Sequence, residues 1–241
     1  MSYLLVFLIV GALIFIHELG HFVVARLVGL PIERFSLGMG RALVSVRRGA
    51  TEYRLSVFPF GGYVLPEVTD VNAYFAQPVW KRLAFTLGGP AANLLLAAAG
   101  FAVFNVYMYG LSFEAIVTAP IPQTMYAMKA VLRSIPALLT GSSEVSGLLG
   151  IVSQGGDFIG SDFLLGLQFA VVMSINLAIL NMLPVPPLDG GKSILCMLEW
   201  CFDGARNLHV PLNLAGLVAL IGYLGYATFL DLKRILTALS I

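Results

Sequence analysis

Charge is what this chain has least of. Asp, Glu, Lys and Arg together make up 11% of its 241 residues, where a soluble domain carries roughly a quarter. With 59% hydrophobic residues and a mean hydropathy of +0.90, this scarcity excludes an ordinary soluble domain and implies an integral membrane protein. The net charge of +1 supplies no basic field for a nucleic-acid partner, and none is expected. Cysteine is nearly absent. Cys196 and Cys201 stand five apart with no second Cys/His pair at zinc-site spacing, so they read as free thiols, and His209 is too distant to make more than a weak second metal site. No basic residue precedes Arg26, and the first apolar run passes directly into a charged motif. The expectation is a retained first helix rather than a cleaved signal peptide. Internal repeats and low-complexity tracts are missing too.

What is present is a set of long apolar runs. A spanning helix needs about 20 mostly apolar residues, and four segments qualify, at about 3–25, 83–109, 162–183 and 212–232. The fold class expected is an all-α polytopic membrane protein forming one domain over 1–241. Of the 14 Lys and Arg, eight lie between Arg26 and Arg82, and Lys192 and Arg206 fall between the third and fourth spans. The positive-inside rule places these two connections in the cytoplasm and both termini outside. Between the first two spans, Tyr53, Leu55 and Val57 alternate with Glu52, Arg54 and Ser56. This period of two predicts a β-hairpin over about 42–64. Its aromatic and apolar content suggests a membrane-associated element, sheltered by protein because unpaired backbone is costly in hydrocarbon. The external connection, about 110–161, reads as an interfacial amphipathic helix broken by Pro120, Pro122 and Pro136.

Against this apolar background, His17, Glu18 and His21 interrupt the first span, and titratable groups at membrane depth usually mark function. They form HELGH, an instance of H-E-x-x-H. Its two histidines share one helical face, where they can bind a metal while the Glu reaches a water on it. Two imidazoles leave a catalytic zinc one protein ligand short. The acidic candidates in or beside other spans are Glu114, Asp162, Asp189 and Asp231. Asp189 stands out because NMLPVPPLDGGK breaks the helix with Pro184, Pro186 and Pro187 and turns at Gly190 and Gly191. Irregular backbone at membrane depth is tolerated where protein buries it or water lines it.

HELGH at 17–21, ERFSLGMG at 33–40, GATEYRLSVFPFGGYV at 49–64, GGPAANLLLA at 88–97 and SINLAILNMLPVPPLDGG at 174–191 together resemble the site-2 proteases. These are zinc metalloproteases that cut transmembrane segments, and the likeness is to their RseP-like branch. The resemblance implies one Zn2+ per chain held by His17, His21 and Asp189, with Glu18 as general base. It further implies that Asn93 and Asn181 line the substrate path and that the hairpin is the family's membrane-associated β-loop. The 52 residues between the second and third spans leave no room for the PDZ domains usual in that branch.

The function expected is therefore intramembrane zinc endopeptidase activity on single-span proteins or signal-peptide remnants. The lipid bilayer and a transmembrane substrate are its partners. The setting implied is a cell membrane, with the site toward the cytoplasm. A helical substrate must first be extended, and adding it to a sheet edge satisfies its freed backbone, which makes Tyr53, Leu55 and Val57 candidate substrate-binding residues. Gly88, Gly89 and Pro90 either loosen the second span or pack helices closely. The alternative reading is a catalytically silent adaptor that binds membrane segments. A zinc or proton transporter is a third, but it would spread its acidic and His residues along several helices.

Overall fold

The computed structural model of the chain describes residues 2–66, 71–139, 148–160 and 162–239. In order these form α1 (Ser2–Leu27), β1 (Ile32–Arg48), β2 (Thr51–Pro66), α2 (Val71–Ala76), α3 (Val79–Tyr109), a π-helical turn (Glu114–Thr118), α4 (Pro120–Leu139), α5 (Leu148–Ile159), α6 (Phe163–Asn181), α7 (Asp189–Cys201), a 3-10 turn (Asp203–Leu208) and α8 (His209–Leu239). Among the described residues, four helical segments are long and apolar enough to cross a membrane: Ser2–Leu27, Val79–Tyr109, Phe163–Asn181 and Gly204–Lys233. The protein is a multi-pass membrane protein, mostly helical, with a small sheet between its first two spans.

The sheet is larger than the expected hairpin. Residues 42–48 do pair with 51–56, but the strands begin ten residues earlier, at Ile32. The first part of β1 is central: Arg34 pairs with both Glu52 and Leu65, Phe35 with both Tyr53 and Val64, and Leu37 with both Leu55 and Gly62. Period-two alternation marks the exposed hairpin but misses 32–37, whose two faces are both partly covered and show no clean alternation. Gly38 and Gly40, each at φ +88°, bend β1 out of the central pairing into the hairpin. Those glycines make a turn. Buried hydroxyls lock the sheet to α1: Arg26 donates to Thr51 Oγ1 at 2.7 Å, and that hydroxyl donates to the Ile32 carbonyl at 2.7 Å.

The prolines of the external segment behave differently from expectation. Pro120 is the first residue of α4 and Pro122 lies in its first turn, where a missing N–H costs nothing. The helix runs on through Pro136 to Leu139. α3 is likewise continuous from Val79 to Tyr109 with Pro90 inside. Its Gly88 serves contact with α1, since a Cβ there would lie 2.7 Å from the Gly20 carbonyl oxygen.

The chain resolves into two compact units, one of Gly11–Leu95 with Leu180–Leu214, the other of Met1–Val10, Leu96–Ile179 and Ala215–Ile241. In the first, Ala25, Leu30, Ile32 and Phe85 form the buried core. In the second, Ala97, Val171, Ile175 and Ile179 do so, and the polar groups close locally: Asn105 and Gln123 exchange amide hydrogen bonds at 2.9 and 3.1 Å, and the Tyr3 hydroxyl donates to Asp157 at 2.8 Å.

Candidate metal centre

Helical spacing carries His17 and His21 on one face of α1, with their ring centroids 4.9 Å apart. Asp189, the first residue of α7, meets them. Its Oδ2 lies 3.0 Å from His17 Nε2 and 3.1 Å from His21 Nε2, and the two Nε2 atoms are 3.3 Å from each other. All three residues are buried, and among the described residues they are the one group of three or more His, Cys, Asp or Glu able to hold a metal.

The local sequence explains why Asp189 arrives there. After Asn181 the prolines stop the helix, and a short carbonyl contact from Val185 N–H to Leu183 O at 2.7 Å turns the chain. Backbone then passes across the start of α7 so closely that a Cβ on Gly190 would strike the Leu183 carbonyl oxygen and one on Gly191 the Pro186 nitrogen. Any larger residue would push Asp189 away. Burial works against its charge, but the contacts of Oδ2 with the His17 and His21 rings and of Oδ1 with the Lys192 ammonium, 3.5 Å away, outweigh it and hold the carboxyl far below the usual carboxylate range. The ionised form is the one a metal needs.

The remaining ring nitrogens are held by α3. His21 Nδ1 is 2.7 Å from the Phe85 carbonyl, which can only accept, so the proton sits on Nδ1 and Nε2 keeps its lone pair. The Gly89 N–H lies farther from the same nitrogen, at 3.3 Å. The Asn93 Nδ2 is 3.3 Å from His17 Nδ1 and holds that ring in orientation. Two imidazole lone pairs and a carboxylate oxygen facing one point are a zinc donor set. The site therefore fits the metal.

Glu18, the next residue of α1, is partly buried and lies beneath the sheet: a Cβ on Gly62 would be 2.8 Å from its Cγ. Gly89 faces the histidines, where a Cβ would stand 2.4 Å from His21 Nε2 and 2.7 Å from His17 Nε2. Reasoning from sequence missed these roles of Phe85, Gly62 and Gly89. The GG pairs at 61–62 and 88–89 were the visible signal, because paired glycines beside titratable residues announce close backbone approach.

The other expected residues are placed as follows. Asp162 accepts from the Leu164 and Leu165 N–H groups at 2.7 and 3.3 Å, capping α6. Asp231 accepts from Gly150 N–H at 2.9 Å, and Glu114 is an exposed residue of the π turn. None of the three joins the histidines. Asn181 is the partly buried last residue of α6. Tyr53 and Leu55 have strand partners on both sides, Phe35 and Val46 for the first and Leu37 and Val44 for the second. They offer no free backbone edge. The Tyr53 ring packs on Phe22 and Phe35 at 5.8 and 6.3 Å, while Leu55 and Val57 are exposed. Cys196 and Cys201 are free thiols; burial pushes the Cys196 thiol up to about 11, so it is inert at neutral pH.

Comparison with known proteins agrees with this geometry. The chain matches Peptidase family M50 over residues 5–223. A Chlamydia pneumoniae protein named "Putative zinc metalloprotease" is 40% identical over 125 residues, which are 45% of this chain and 20% of that one. Namesakes in Campylobacter jejuni and Clostridium acetobutylicum are each 24% identical, covering 98% and 78% of this chain and 94% and 84% of their own length. The chain thus spans about a fifth of the Chlamydia relative but most of the other two. The Campylobacter alignment is 346 residues long against a chain of 241, so that relative carries inserted residues missing here. By the length of the match, this chain belongs to peptidase family M50, the site-2 proteases.

Proposed function

We propose that the protein is an intramembrane zinc endopeptidase that hydrolyses peptide bonds in transmembrane segments of single-span proteins or signal-peptide remnants. The observation that carries this reading is the convergence of His17, His21 and Asp189 with Glu18 one residue along the same membrane helix. His17, His21 and Asp189 would hold the zinc, which would supply a Lewis acid for activating water at neutral pH and polarising the scissile carbonyl. Glu18 takes the proton from the attacking water and returns it to the leaving nitrogen. The Phe85 carbonyl holds His21 in the tautomer that leaves its Nε2 free, and the Asn93 amide orients His17. Asn181, at the end of α6, is assigned to the substrate backbone or its developing oxyanion.

The substrate segment must be extended at the site. Strand addition belongs at an outer edge of the sheet, and the Gly62–Pro66 edge passes directly over Glu18. Substrates with helix-weakening residues near the cut are favoured. Ten of the 14 Lys and Arg lie in the two connections that include this sheet and α7 or at the span ends that flank them, which supports a site toward the cytoplasm of a cell membrane. The test uses purified protein in liposomes with a single-span peptide containing Gly and Pro at mid-membrane. Wild type cleaves it, zinc chelation stops cleavage, and Glu18→Gln is inactive while still binding zinc. A Glu18→Gln variant that cleaves at the wild-type rate refutes the mechanism.

A further inference from the structure

Both halves of the donor set are referenced to α3. The Phe85 carbonyl and the Asn93 amide orient His21 and His17. Asp189, however, stands on α7, which follows an irregular, proline-rich segment and cannot take its position from a continuous helix before it. Two polar contacts tie α7 to α3. The buried Thr86 and Ser193 hydroxyls are 2.8 Å apart. Farther along, Arg82 Nη1 and Nη2 donate to Glu199 Oε2 and Oε1, both at 2.7 Å. The contacts run in opposite order along the two helices, so α3 and α7 are antiparallel.

Arg82 is 1% exposed although it sits at the start of a membrane helix. Its Nε donates to the Gln77 carbonyl at 3.2 Å, and its guanidinium lies 5.6 and 5.3 Å from the Tyr74 and Phe75 ring centroids. His209 Nε2 approaches Glu199 Oε2 at 3.4 Å. A planar bidentate pair fixes both the distance and the rotation of the two backbones that carry it. Glu199 is ten residues from Asp189, about 15 Å along the helix axis. The two anchors on α7, Ser193 and Glu199, are six residues or about 9 Å apart and define a line, and Asp189 lies at its end.

We propose that Arg82, through its bidentate pairing with Glu199, is a positioning residue that sets α7 along α3 and so places Asp189 against His17 and His21. The inference rests on the reading of those three residues as one zinc site. It assigns the pair a role in metal affinity beyond its share in stability.

The test measures zinc affinity by chelator competition, and the visible absorption of cobalt(II) in the site, on full-length detergent-purified protein. Arg82→Lys keeps the charge and loses the planar double contact; Arg82→Met with Glu199→Met replaces the buried pair by apolar side chains, an exchange that is often neutral for stability. Both variants are expected to fold and to bind zinc about tenfold more weakly, in the range seen when groups supporting metal ligands are removed, with an altered cobalt spectrum. Wild-type affinity and spectrum in the folded variants overturn the proposal. If the double variant melts early, Arg82→Lys decides alone. A wild-type chain that binds neither metal overturns the site reading, and this inference with it, before any substitution is made.

Discussion

Asp189 and Asp231 are both buried carboxylates, 5% and 3% exposed, and both are third-ligand candidates in the sequence. Their surroundings differ in kind. Asp231 accepts the Gly150 N–H, a donor left over at the start of α5, so its charge completes a helix end. Asp189 faces side chains whose other nitrogens are already engaged, which leaves both Nε2 atoms aimed at one point. An intramembrane acid that closes a local bond is structure; one that joins others in an open donor set is a site.

This contrast can be broken from several sides. The largest effect is expected at Glu18, where removing the proton acceptor by Glu18→Gln lowers the cleavage rate by about 10²–10⁴-fold with zinc content unchanged, as liposome assays and metal analysis will show. Next comes Gly89→Ala. Its methyl would crowd both histidine Nε2 atoms, so zinc binding should fall sharply without any ligand being touched; wild-type affinity in competition titrations would show that the packing around the histidines is loose. A smaller effect follows Asp231→Ala, which leaves the Gly150 N–H without this acceptor. It should destabilise the fold by about 1–3 kcal/mol, read as a lower melting temperature with full zinc occupancy.

The smallest effect concerns the sheet. Hydrogen bonds from Arg54, Ser45 and Arg34 lower the Glu52 carboxyl from 4.5 to about 2. A depressed folded-state value means that the stabilisation is complete above about pH 4.5 and is lost as pH falls toward 2. Hydrogen exchange of the hairpin amides should therefore accelerate across that window, and Glu52→Gln should flatten the change.

Much of this was legible in the sequence because membrane burial makes polar residues conspicuous. HELGH, the four spans and the DGG turn after a proline-broken helix could be read from residue type and order alone. The choice of Asp189 over Asp231, Asp162 and Glu114 rested on backbone irregularity, and the fold supplies its geometric reason. What escaped were features that depend on a neighbour distant in the chain. Residues 32–37 look unlike a strand until both flanking segments are in place. Tyr53 alternates as an edge residue would, yet sits between two strands. Arg82 and Glu199, 117 residues apart, are unremarkable singly, and the fold makes them one contact. The glycines at 62 and 89 carry no side chain to announce what passes over them.

The most direct test counts zinc per chain in detergent-purified wild type beside Asp189→Ala and Asp231→Ala. The account predicts about one zinc in wild type, a marked loss on removing Asp189, and no loss on removing Asp231. Full zinc occupancy and affinity in a folded Asp189→Ala protein would contradict it, because the third ligand would then lie elsewhere.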